Sequence, residues 1–135
     1  MRPLTSIIKR RLLAALFFGW LVALLALTYW PNLGAGNPPD KGLRTDYIGH
    51  FGFYAVLIVF FLLWQRFRGK KISTGYILQV ALVGILLGAL TEFTQQLVPG
   101  RSLNPLDMLF NCTGIVAGAL AFAVIWRKSL ATYSA

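Results

Sequence analysis

The chain has 135 residues, 57% of them hydrophobic and 13% charged, with a formal net charge of +9 and a mean hydropathy of +0.66. Such a composition excludes an ordinary water-soluble domain of this length and fits a small integral membrane protein. The basic residues stand beside apolar runs, so the charge reads as topology and attraction to anionic headgroups, not as nucleic-acid binding.

Residues 2–11 carry four positive charges and no acid, and residues 12–30 then run without a charge, closing on Tyr29 and Trp30. A secretory signal shares the basic start, but its apolar core is only ~7–15 residues long. The run is therefore read as a first transmembrane helix with its aromatic pair at the far interface. Residues 31–45 are dense in Pro, Gly and Asn and form an expected loop outside the bilayer. A second helix is expected over 47–67, opening with Asp46, His50 and Tyr54. The basic loop RFRGKK, residues 66–71, is short enough to make its neighbours antiparallel. A third helix is expected over 75–98, carrying Glu92, then a Pro/Gly turn to Pro105 and a fourth over 106–126. Four spans of ~20 residues use most of the chain and leave no separate soluble domain. The first helix has no polar stripe and is expected at the periphery of an all-α bundle. The lone Cys112 lies in an apolar run and reads as a small hydrophobe.

Charge sets the expected topology. The N-terminal tail, the RFRGKK loop and the C-terminal tail hold ten of the thirteen Lys and Arg; Lys41, Arg44 and Arg101 remain for the other side. By the positive-inside rule both termini are cytoplasmic. The acids show the opposite bias: Asp40, Asp46, Glu92 and Asp107, with His50, all fall in outer loops or outer helix segments. Glu92 lies about six residues inside the expected helix end at Val98, or ~9 Å. Ionisable groups in hydrocarbon cost at least ~2.5–3.5 kcal/mol each, so a polar site between helices near one membrane surface is expected. No internal repeat is visible, which disfavours an inverted-repeat transporter.

Asp46, His50 and Tyr54 recur every fourth residue and form one stripe. Glu92 shares a face with Gln95 or Gln96, and Asp107, Asn111, Gly114 and Gly118 lie along one face of the fourth helix, the glycines allowing close helix approach. These blocks carry a resemblance. DYIGHFGFY from Asp46, ExxQxxxPxR from Glu92 and DxxxNxxGxxxG from Asp107 resemble the VanZ-like family of small membrane proteins. The resemblance covers residues 46–118 and, with similar hydropathy around it, implies a single membrane domain over 1–135. The family is named after a protein associated with resistance to the glycopeptide teicoplanin. Membership implies a multi-pass protein of the bacterial cytoplasmic (inner) membrane and a link to teicoplanin tolerance. It implies no particular reaction.

The residues leave two roles open. Glu92 reads as a general acid or base, or as a structural acceptor from Gln95 or a partner of Arg101. His50 beside Asp46 reads as an oriented acid–base pair, or as an interfacial histidine on a helix whose first turn carries a carboxylate. Asp46 and Asp107 also suit the positive ends of their helices, Asp107 as an N-cap. Arg101 suits an anionic lipid headgroup, or snorkels as a flanking cation. Asn111 is expected to hydrogen-bond across helices, and Tyr54 to pack. In the catalytic reading Glu92 and His50 exchange protons, Asp46 orients His50, and Gln95, Asp107, Asn111, Tyr54 and Arg101 bind an envelope lipid or lipid-linked precursor. In the alternative the cluster is structural and the protein binds an amphiphile or a partner. A proton-coupled transporter ranks third, for want of a second polar layer. No HExxH or clustered His/Cys pattern supports a metal, and Ser102 lacks a nucleophile context, so no metal or cofactor is expected. An open, hydrated polar pocket would favour catalysis; closure by mutual hydrogen bonds would favour the structural reading.

Overall fold

A computed structural model describes residues 4–31 and 45–132. They form four helices, α1 Leu4–Thr28, α2 Thr45–Phe67, α3 Thr74–Gln95 and α4 Pro105–Thr132, with no strand among the described residues. Each helix contains an apolar span of 22 or 23 residues. At 1.5 Å per residue that is ~33 Å, enough to cross a ~30 Å hydrocarbon core. The large side chains left outside agree: Leu78, Leu82, Leu86, Leu90 and Phe93 make an exposed stripe along α3. A stripe of that size suits lipid and not water. The chain is a multi-pass membrane protein.

Helix ends differ from the sequence expectation in informative ways. α1 starts at Leu4 instead of residue 12, because Lys9, Arg10 and Arg11 are good helix formers that extend the helix beyond its apolar run. Of the expected loop at 31–45, residues 32–44 lie outside the described residues, and Thr45 already opens α2. α2 closes in a Schellman motif: Lys70 N donates to Gln65 O and Gly69 N to Arg66 O, with Gly69 at φ 90°. Ser73 then caps α3 by accepting from Tyr76 N at 3.1 Å. α3 ends at Gln95, three residues before the expected Val98, in tight turns from Leu97 N to Thr94 O and from Val98 N to Gln95 O. Glu92 thus sits in the last turn of α3.

The tightest seam joins α2 to α4. A Cβ built at Gly114 would overlap the Phe51 carbonyl, and one at Gly118 the Ala55 carbonyl. The glycines let the two backbones meet, as small residues do at membrane helix interfaces. Leu62 and Ile115 are fully buried, with Ile58, Ala119 and Phe122 around them. α3 closes over this core. α1 is peripheral, as expected, but firmly docked on α2: Trp20 stacks on Phe53 and donates Nε1–H to its carbonyl at 2.8 Å, and Phe17 stacks on Trp64. α1 and α3 barely touch.

Adding one methyl group on this seam forces the backbones apart, an overpacking cost of ~1–3 kcal/mol. Gly114→Ala is therefore expected to lower the melting temperature in mild detergent by several degrees. Gly19→Ala, where nothing lies within 4 Å, is expected to leave it unchanged or raise it, since Ala is the better helix former. Equal shifts for the two variants would contradict the close-packed seam.

Candidate functional site

The polar residues gather where the N-terminal parts of α2 and α4 and the C-terminal part of α3 meet the α3–α4 turn. The turn itself is built by Asn104 and Pro105. Asn104 Oδ1 accepts from Leu106 N at 3.0 Å and its carbonyl from Met108 N at 3.2 Å. Asn104 is thus the N-cap of α4 and Pro105 its first residue, a position where proline's missing N–H costs nothing. The expected cap, Asp107, falls instead at the third helical position. There its carboxylate lies near the positive end of α4 and faces α2.

Glu92 reaches across to this start. Its Oε1 accepts from Asn104 N at 3.0 Å and from the side-chain amide of Gln95 on its own helix. Glu92 is 1% exposed, Gln95 2% and Asn111 1%. A carboxylate so enclosed must have its bonds supplied by the protein. Among the described residues Gln95 Oε1 has no donor.

His50 takes partners from α4. Its Nδ1 lies 2.9 Å from Asn111 Oδ1, and its Nε2 lies 3.8 Å from Asp107 Oδ2. Since an amide oxygen only accepts, Nδ1 is the donor in this arrangement. A protonated ring makes the second contact an ion pair. The expected orienting residue was Asp46, but the carboxylate facing the ring is that of Asp107; Asp46 Oδ1 accepts from Tyr47 N at 3.1 Å. The α2–α4 seam places Asp107 and Asn111 beside the ring.

Tyr54 lies one turn deeper than His50. Its hydroxyl is 2.5 Å from Thr91 Oγ1, and Thr91 gives its own proton to Gly88 O at 2.9 Å. Tyr54 is therefore the donor in an α2–α3 link and stands apart from the histidine. Arg101 does not pair with Glu92. Its Nη2 donates to Leu27 O, one of the last carbonyls of α1, which have no partner within the helix. Beside it Tyr29 lies 2.7 Å from Thr94 Oγ1. These two contacts fasten the C-terminal end of α1 to α3 and the α3–α4 turn.

The expected polar pocket is thus a packed cluster. Glu92, Gln95, His50, Asp107 and Asn111 come together; Asp46, Tyr54 and Arg101 stand around them in other contacts. Only the His50–Asp107 edge is open, at 21% and 11% side-chain exposure. A sizeable cavity among the described residues lies elsewhere, between α1, α2 and α3, and is lined almost wholly by apolar side chains. Among the described residues no three His, Cys, Asp or Glu side chains are grouped to hold a metal ion. Sequence reasoning overlooked Asn104 and Thr91. The Asn-Pro pair ahead of an apolar run is a helix-start signal that could have found the first; nothing in the sequence singles out the second.

Arg101→Ala removes a charge-assisted bond to α1, a class worth ~1.5–3 kcal/mol when sheltered and less when exposed. It is expected to lower the melting temperature measurably, and Arg101→Lys to lower it less. Wild-type melting of Arg101→Ala would mean that the cation contributes nothing to holding α1.

Comparison with known proteins gives one match. A family model described as VanZ/LLP1 matches residues 25–127. No curated protein and no solved structure matches significantly. The matched region spans α2, α3, the whole polar cluster and α4 as far as Arg127, and takes in the end of α1. The chain belongs to the VanZ/LLP1 family.

Proposed function

We propose that the protein is a non-catalytic component of the bacterial cytoplasmic membrane, with both termini cytoplasmic, that binds a lipid-tailed amphiphile at its outer face. The polar cluster is the lock that shapes that face. The observation that carries this reading is the closure of Glu92: the residue best suited to acid–base work is enclosed, and its Oε1 is occupied by Gln95 and the Asn104 amide. A general acid or base must come within hydrogen-bond reach of its substrate. Family membership supports a link to teicoplanin tolerance, and teicoplanin carries the lipid tail that such a face would hold. The topology rests on the distribution of Lys and Arg.

A second reading keeps one observation in its favour. The His50–Asp107 pair is partly accessible, with Nε2 and Oδ2 3.8 Å apart, within ion-pair range. In that reading the substrate is an envelope lipid or lipid-linked precursor whose headgroup meets the pair at the outer surface.

Expression in a teicoplanin-susceptible Gram-positive host separates the two. The binding reading predicts raised tolerance for wild type and for Glu92→Gln and His50→Gln, since glutamine keeps an acceptor at the first position and a donor at the second. Loss of tolerance in either variant, at normal abundance and melting temperature, would favour catalysis. A wild-type protein that leaves tolerance unchanged would remove teicoplanin from the account.

A further inference from the structure

The cavity between α1, α2 and α3 has no part in the polar cluster. Its volume is about 500 Å³, within the ~300–1,000 Å³ typical of small-ligand sites. Phe17, Leu21 and Leu24 of α1 face Val80, Val83 and Leu87 of α3 across it, with α2 as its floor. Because α1 is held to α3 only near its outer end, the groove runs along the helices from Tyr76 to Thr91. That is ~22 Å at 1.5 Å per residue, longer than one leaflet of a ~30 Å core. An extended acyl chain has the right shape and chemistry to fill it.

The Tyr76 end supplies a headgroup site. α1 and α3 run in the same direction, and the Tyr29–Thr94 contact fixes their relative height. Counting back equally along both helices from that contact brings Arg10 level with Gly75 and Tyr76. Arg10 also lies on the face of α1 that carries Phe17 and Leu24, at heptad spacing. On the opposite wall Lys70 Nζ lies 5.2 Å from the centre of the Tyr76 ring, and at the α2 floor Arg68 stands 5.0 Å over Trp64, the ring stacked on Phe17. Cations from both walls therefore flank one mouth. One turn deeper, the exposed Gln79 lines the same groove. An amide turned towards hydrocarbon is costly unless it finds a partner. The ester carbonyls of a glycerolipid lie at that depth, just below the headgroup.

We infer that this groove holds one acyl chain of an anionic phospholipid, with the phosphate on Arg10 and Lys70 and the ester region on Gln79. The site is independent of the outer polar cluster and of the function proposed for it. A zwitterionic lipid fills the groove equally well but gains less from the basic mouth. At ~1 kcal/mol for each of the two basic residues, the preference for the anionic lipid is roughly thirty-fold.

The test is native mass spectrometry of delipidated protein titrated with dioleoylphosphatidylglycerol or dioleoylphosphatidylcholine. The wild type should take up one phosphatidylglycerol at roughly thirty-fold lower concentration than phosphatidylcholine. The double variant Arg10→Gln/Lys70→Gln should lose that preference, and Val83→Trp, which fills the groove, should lose uptake of both lipids. Leu87→Trp carries the groove arm should Val83→Trp fail to fold. Equal uptake of the two lipids by the wild type would overturn the proposal. So would undiminished uptake in the folded tryptophan variant, or a dimer whose formation the tryptophan abolishes, since the groove would then seat a second copy.

Discussion

A carboxylate placed inside an apolar span has to find its hydrogen-bond donors within the protein, and Glu92 finds them in Gln95 of its own last turn and in Asn104 at the start of α4. Its bond to Asn104 N ties the last turn of α3 to the cap of α4. With that cap fixed, the face of α4 that looks at α2 is fixed as well. Asp107 and Asn111 come first along that face and meet His50. Gly114 and Gly118 follow, where the two backbones touch. The polar cluster and the close-packed seam are successive parts of one interface, polar near the surface and glycine-lined in the apolar depth.

This arrangement limits what the cluster does. Buried polar groups with their bonds made hold a unique geometry, whereas groups poised for chemistry need access. Glu92, Gln95 and Asn111 lie inside, and only His50 and Asp107 reach the edge. α1 obeys a different logic. It is joined to α2 by stacked aromatic rings and to α3 and the α3–α4 turn at its C-terminal end, through Tyr29 and Arg101. An apolar groove is the consequence. The bundle therefore has two distinct regions, a locked polar end and a laterally accessible apolar slot with a basic mouth.

Much of this was legible in the residues. The four spans and the faces carrying Asp107, Asn111, Gly114 and Gly118 follow from hydropathy and helical spacing, and the family from the resemblance of three motifs. Pairing across helices did not follow. Spacing reports only neighbours on the same helix, so His50 was matched with Asp46 one turn away, while its actual partners come from α4. Arg101 looked like a lipid-facing cation because its acceptor, the Leu27 carbonyl, is a backbone atom that any residue could supply. The groove was invisible for a similar reason: a leucine facing lipid and a leucine facing a slot between helices are the same letter. The end of α3 was placed too late because apolar Leu97 and Val98 continue the hydropathy run past the point where the chain turns.

The central claim is that Glu92 is retained as the fastening between α3 and α4. It is tested most directly by the melting temperatures of Glu92→Leu and Glu92→Gln in mild detergent. Leucine fills similar space but leaves the Asn104 amide and the Gln95 side chain without their acceptor, at ~1–3 kcal/mol for each buried group. The account predicts that Glu92→Leu melts several degrees below wild type. Glu92→Gln should melt close to wild type, because its oxygen can still accept from Asn104 N and its amide can serve the Gln95 oxygen that otherwise has no donor. A Glu92→Leu protein that melts at or above wild type would contradict the account. The carboxylate would then be held at a cost to stability, as active-site groups are.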